Sequence, residues 1–160
     1  MDLGVYPLNT IRFVLGADPV RVSGRTRTDH EPFADVDEHA TFRLSFPGGV
    51  DAVCTVSQNA QHASRLDVVG TDARLILDPA FYEREDREFA VVRDGTRVDV
   101  EFDQVHQIEE EFAYFGHHLL AGDPFHPDGD HALVDMAGLD AVYESAETGQ
   151  PVGLDRDAPP

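Results

Sequence analysis

Lysine is missing from all 160 residues, and cysteine occurs once. A single Cys54 excludes an internal disulfide. It stands in the alternating run DAVCTVSQ with no His or Arg beside it, so it reads as a small buried hydrophobe and not as a reactive thiol. No apolar stretch is long enough to span a bilayer and no secretory leader pattern is seen, so a cytoplasmic location is expected. Positive charge is scarce: 12 basic residues, every one an arginine, face 31 Asp plus Glu, for a net charge of -19. Such a surface repels phosphate backbones and anionic lipid, which argues against nucleic acid and membrane partners. The acids are spread through apolar-patterned segments and form no long block, so a disordered acidic tail does not account for them. A salt-adapted surface does, because carboxylates hold water and cations while high ionic strength screens their repulsion. A halophilic source is expected.

Strong catalytic signatures are equally scarce. GxGxxG, the P-loop pattern, CxxC and HExxH are all missing, so no cofactor site is encoded in full. The cluster DPFHPDGDH carries metal-ligating residue types in His126, His131, Asp123, Asp128 and Asp130, the raw material of a metal-dependent hydrolase. Its spacing matches no known ligand pattern, and Pro124 and Pro127 mark a rigid connector between two helices. His117 and His118 are adjacent and cannot both present their rings to one helix face. The run Glu109, Glu110, Glu111 reads as a solvated face near a helix N-terminus, where negative charge complements the dipole. No metal is expected.

What is present is enough for one core: 41% apolar residues, ten of them Phe. Apolar spacing predicts a first helix from about Asp2 to Leu15, closed by Gly16. Pro7 is tolerated there only if the helix starts within a turn before it. Period-two runs then predict strands at Arg21 to Thr28, Ala40 to Phe46, Ala52 to Ser57, Arg65 to Val69, Arg74 to Leu77, Glu88 to Arg93 and Arg97 to Phe102. PGG after Phe46, GTDA after Val69 and RDGT after Val92 are hairpin signals, which makes the sheet an antiparallel meander. Phe42, Leu44 and Phe46 form an apolar face that needs a cover. Helices at Gln107 to Ala121, with Ile108, Phe112, Phe115 and Leu119, and at Ala132 to Thr148, with Leu133, Met136, Leu139, Val142 and Tyr143, can supply it. The expected class is therefore α+β, an open-faced sandwich: a large, mostly antiparallel sheet with helices on one face. The other face, bearing Arg21, Arg25, Arg27 and Arg43, is left for solvent or a second copy. Residues 1–154 read as one domain and 155–160, DRDAPP, as a disordered end.

The opening MDLGVYPLN raises the functional question. Asp2 and Tyr6 are spaced i and i+4, and Asn9 continues their face one turn later as a candidate substrate contact. One reading is structural, an Asp that caps the helix and a Tyr that packs on the sheet. The other is an acid and a phenol that cooperate in proton transfer to a hydroxyl or carbonyl.

DLGVYPLNTIRFVLG, then a sheet with VVGTDARLIL, then LVDMAGLDAVYESAETGQPVGL, together resemble the C-terminal domain of the glucose-fructose oxidoreductase / inositol dehydrogenase / rhizopine-catabolism (Gfo/Idh/MocA) family. Within it the chain is most similar to sugar and dihydrodiol dehydrogenases, including haloarchaeal D-xylose dehydrogenases. The resemblance implies an N-terminal Rossmann domain that binds NAD or NADP, joined to this domain, which supplies substrate contacts and the oligomer interface. It also implies that Asp2 and Tyr6 are the catalytic pair, working with a lysine of a Glu-Lys-Pro element in the Rossmann half. This chain contains neither that lysine nor a dinucleotide fingerprint, and its Met1 stands where the family's Gly-rich segment would precede the acid. The expectation is a substrate-binding and oligomerisation half, inactive alone, that binds no cofactor by itself and takes a sugar or diol in the complete enzyme. The alternative is a stand-alone, non-catalytic binding or dimerisation module.

Overall fold

The computed structural model describes residues 2–81 and 86–154; the expected tail at 155–160 lies outside the described residues. In chain order they form α1 (Val5–Leu15), β1 (Arg21–Arg27), β2 (His39–Ser45), β3 (Asp51–Ser57), β4 (Leu66–Val69), β5 (Arg74–Asp78), β6 (Glu88–Arg93) and β7 (Thr96–Val100). Two helices, α2 (Gln107–Ala121) and α3 (Gly129–Thr148), and a short strand, β8 (Val152–Gly153), follow. The class is α+β, with two four-stranded sheets in which every neighbouring pair is antiparallel. The chain divides into two compact units: residues 1–60 with 127–160, and residues 61–126.

The first unit carries the sheet β3-β2-β1-β8 and the helices α1 and α3. Along β2 the alternation does what the sequence demands: Ala40, Phe42 and Leu44 are buried, while Thr41 and Arg43 are exposed. Leu8 of α1, Val22 of β1, Cys54 of β3, and Leu139, Ala141 and Val142 of α3 complete that core. Burial pushes the Cys54 thiol up to about 12, so it stays protonated and inert, the small hydrophobe expected of it.

Two glycines set how closely the helices approach. A Cβ on Gly24 of β1 would stand 2.6 Å from Cγ1 and 3.1 Å from the carbonyl oxygen of Val142, so α3 can cross β1 only where the strand has no side chain. The Gly24 amide uses this closeness to donate to Ser145 Oγ at 3.0 Å. Gly138 does the same for α1, since its Cβ would meet Leu8 Cδ1 at 2.7 Å. The buried stripe of α3 is therefore made of small residues, Gly138, Ala141 and Ser145 with Leu139 and Val142. Leu133 and Met136, which apolar spacing assigns to the core, are exposed, because a close crossing selects small side chains over large ones. α1 begins at Val5, with Asp2–Gly4 as a lead-in turn, and Pro7 lies in its first turn, where an amide has no helical partner to lose.

The second unit is the meander β4-β5-β6-β7 followed by α2. Ile76 and Ala90, cross-strand partners, are its buried apolar residues. The β6–β7 turn is Asp94–Gly95, both at positive φ, the two-residue connection that RDGT announces. No residue of α2 is buried, so the stripe Ile108, Phe112, Phe115 and Leu119 remains at the surface.

Candidate active-site cleft

The first unit contains an open cleft of about 640 Å³. Thr26 and Thr28 come from β1 and its end, Phe33 through Asp37 from the connection between β1 and β2, Gln58 from the end of β3, and Tyr143 from α3. Asp2, in the turn before α1, completes the wall.

The β1–β2 connection is held in place by a carboxylate at its base. Glu38 is only 1% exposed. Its Oε2 accepts from the backbone amides of Asp29 (2.8 Å) and His30 (3.0 Å), and its Oε1 accepts from His30 Nδ1 and Asn59 Nδ2, both at 2.7 Å. His39 Nε2 stands 3.2 Å from the same Oε1. Burial alone would raise the Glu38 carboxyl, but the hydrogen bonds from Asn59, the Asp29 amide and His30 outweigh it and hold the group at about 2. Two further bonds shape the wall itself: Thr28 Oγ1 donates to the Val36 carbonyl at 2.7 Å, and Tyr143 OH donates to Asp37 Oδ1 at 2.5 Å. Burial and the Asp37 carboxylate together push the Tyr143 phenol up to about 12, which keeps it a donor.

The three residues singled out in the sequence have different surroundings. Asp2 is exposed and lines the cleft; the cap position of α1 is Gly4, with no side-chain cap bond, so Asp2 does not serve as a helix cap. Tyr6 is on the first turn of α1, 50% exposed, and is not among the residues of the cleft wall. Neither side chain is sealed in the apolar core. Asn9 points toward α3, donating through Nδ2 to Asp135 Oδ2 at 2.7 Å, with His131 Nε2 at 2.8 Å. Asp135 in turn pairs with the buried Arg12 guanidinium at 2.5 Å, and Arg12 also binds Asp18 and the His131 carbonyl. This network clamps α1 to α3.

The DPFHPDGDH loop is a helix start. Asp128 caps α3 by accepting from the His131 amide at 2.9 Å, and His131 belongs to the Arg12 and Asn9 network. Among the described residues no group of three or more His, Cys, Asp and Glu side chains is placed to hold a metal ion. No helix among them is long and apolar enough to cross a membrane.

A family profile described as the GFO/IDH/MocA C-terminal domain matches residues 1–76. Beyond that segment, D-xylose 1-dehydrogenase [NADP(+)] of Haloarcula marismortui is 50% identical over 156 residues, which is 97% of this chain and 43% of that protein. The chain belongs to the GFO/IDH/MocA family. Another relative in it, D-xylose 1-dehydrogenase (NADP(+)) 2 of Haloferax volcanii, is 31% identical over 97% of this chain and 47% of its own length. The crystal structure of the aldose-aldose oxidoreductase from Caulobacter crescentus superposes with a TM-score of 0.87 at 27% identity, over 94% of this chain and 46% of that one. The chain thus spans about half the length of the curated relatives it matches. The segment matched by the GFO/IDH/MocA profile includes Asp2, Tyr6, Asn9 and all of the cleft wall except Tyr143. Glu38, Asp35, Asp37 and Tyr143 carry no motif that sequence reasoning can seize. The run that holds the three acids, ADVDEH, differs from a solvated acidic loop only through partners brought in by folding.

Proposed function

We propose that this chain is the substrate-binding and oligomerisation part of an NAD(P)-dependent sugar or diol dehydrogenase of a halophile, located in the cytoplasm. The observation that carries the reading is half-identity, along nearly the whole chain, to an NADP-dependent D-xylose dehydrogenase of Haloarcula marismortui. The cleft does not fit a dinucleotide: among the described residues its wall includes Asp2, Asp35 and Asp37 and no arginine or histidine, a charge balance that repels a pyrophosphate. NAD or NADP is therefore assigned to a Rossmann domain outside these residues, and hydride chemistry with it. This domain contributes proton handling and substrate contacts. The Tyr6 phenol exchanges the proton of the reacting hydroxyl, Asp2 at the cleft orients that exchange, and Asn9, its amide group held by Asp135, contacts substrate. The exposed arginine face of the first sheet, Arg21, Arg25, Arg27 and Arg43, is the surface for a second copy.

The test is reconstitution. The chain is co-expressed with, or fused to, the Rossmann half of a family member, and NADP reduction is followed with D-xylose or D-glucose at high salt. Activity should appear with the complete pair and not with the chain alone. Tyr6→Phe should lower kcat by about a hundredfold or more, the scale of a lost general acid–base group. Failure to restore activity in a folded, associated pair favours the stand-alone binding module.

A further inference from the structure

One amide nitrogen, Nδ2 of Asn9 on α1, faces two groups of α3 at once: Asp135 Oδ2 at 2.7 Å and His131 Nε2 at 2.8 Å. A carboxylate oxygen can only accept, so the carboxamide must present its nitrogen there and not its oxygen. One hydrogen goes to Asp135. The other needs a lone pair on His131 Nε2, which exists only in an uncharged ring whose proton sits on Nδ1.

Protonation removes that lone pair and sets Nε2–H against an N–H group. An acceptor near this charged donor is Asp135 Oδ2, 3.8 Å away, the same oxygen that Asn9 uses. Ring and carboxamide then compete for one oxygen, and a charged donor prevails over a neutral amide at a carboxylate. The exchange is local. Arg12 Nη1 is bound to the other oxygen, Asp135 Oδ1, and to the His131 carbonyl, and its Nε to Asp18, so the clamp between α1 and α3 survives. The charged groups around His131 are thus Asp135 on its own helix, Asp128 at the helix cap, which accepts from the His131 amide, and Arg12 with Asp18 from α1 and the turn after it.

We propose that His131 is a positioning residue for the first turns of α1. Uncharged, it fixes Asn9, less than one turn beyond Tyr6; charged, it takes Asp135 Oδ2 and releases the Asn9 carboxamide. The inference deepens the dehydrogenase reading and rests on it only for the roles of Tyr6 and Asn9 at a substrate. In a complete enzyme the site is set while the ring is neutral and loosened once it is charged.

The test is NMR on the 160-residue chain at high KCl, from about pH 8 to about pH 5, the range in which imidazoles charge. At the upper end the ring nitrogen shifts should place the His131 proton on Nδ1. As the pH falls, the Asn9 side-chain amide and the Tyr6 backbone amide should shift with the midpoint of the His131 ring. In His131→Gln, whose side-chain oxygen accepts from Asn9 and never charges, the Asn9 side-chain signals should stay fixed. A proton on Nε2 at the upper end, a ring that stays uncharged throughout, Asn9 or Tyr6 signals that ignore its midpoint, or an unchanged Asn9 titration in the glutamine variant would overturn the proposal. Should that variant not fold, the wild-type titration decides alone. No step requires turnover, so this inference and the reconstitution with a Rossmann half fail separately.

Discussion

Glu38 is a buried carboxylate kept charged by donors that converge on it from Asp29, His30 and Asn59. Because its folded value, about 2, lies below the ordinary 4.5, ionised Glu38 favours the folded state. That contribution is complete above pH 4.5 and is lost as the pH falls toward 2. Thermal midpoints of the wild type and Glu38→Gln should therefore differ most near pH 6, with the gap closing across that acid window. A gap that stays constant from pH 6 to pH 2 would show that the carboxylate's charge contributes nothing. None of this was legible in the sequence, where Glu38 is one acid among several in ADVDEH and its partner Asn59 lies on the far side of two strands. Arg12 was equally hidden, a charged residue on α1 whose burial depends on Asp135 of α3. Asp2 and Tyr6 could be singled out because DLGVY resembles a known motif; spacing alone favoured a helix cap and a packed ring over an acid–phenol pair.

Between elements, the two close crossings differ in what they would tolerate. Gly24→Ala drives a methyl into Val142, whose β-branched side chain and backbone carbonyl cannot move aside. It should cost about 1–3 kcal/mol in urea unfolding, the range of overpacked cores. Gly138→Ala meets only the tip of Leu8, and the strain there is offset by the roughly 1 kcal/mol by which alanine favours a helix interior over glycine. The second variant should lie within about 1 kcal/mol of the wild type, and a larger loss than in Gly24→Ala would refute the crossing geometry. At this scale the sequence was most readable. Hairpin signals at PGG, GTDA and RDGT placed the turns, and period-two alternation placed seven of the eight strands. The eighth, β8, is two residues after Pro151, too short to show a period, and it exists because Arg21 and Val22 offer it a free edge. The face of α3 was read in part: Leu139 and Val142 are in the core as expected, but Leu133 and Met136 are exposed, because small residues carry little hydrophobic signal and yet define where a helix can come close.

For the molecule as a whole, charge dominates: a net of -19 on 160 residues opposes compaction in dilute buffer. The thermal midpoint should rise as KCl increases from about 0.1 to 3 M, where screening shortens from roughly 10 Å to a few ångströms. A flat or falling midpoint would count against salt adaptation. The division into two units also has a bearing on how the chain is made. The meander from 61 to 126 is complete in one continuous stretch, whereas β1 waits for α3 to cover it and for β8 to pair with its edge. On a ribosome the meander can therefore settle before the first sheet does, while the segment bearing Asp2 and Tyr6 has no finished support until α3 and β8 have been made. A nascent chain of this kind needs its early strands shielded from neighbours on the same message, and nonsense truncation anywhere before α3 removes the cover of that first sheet.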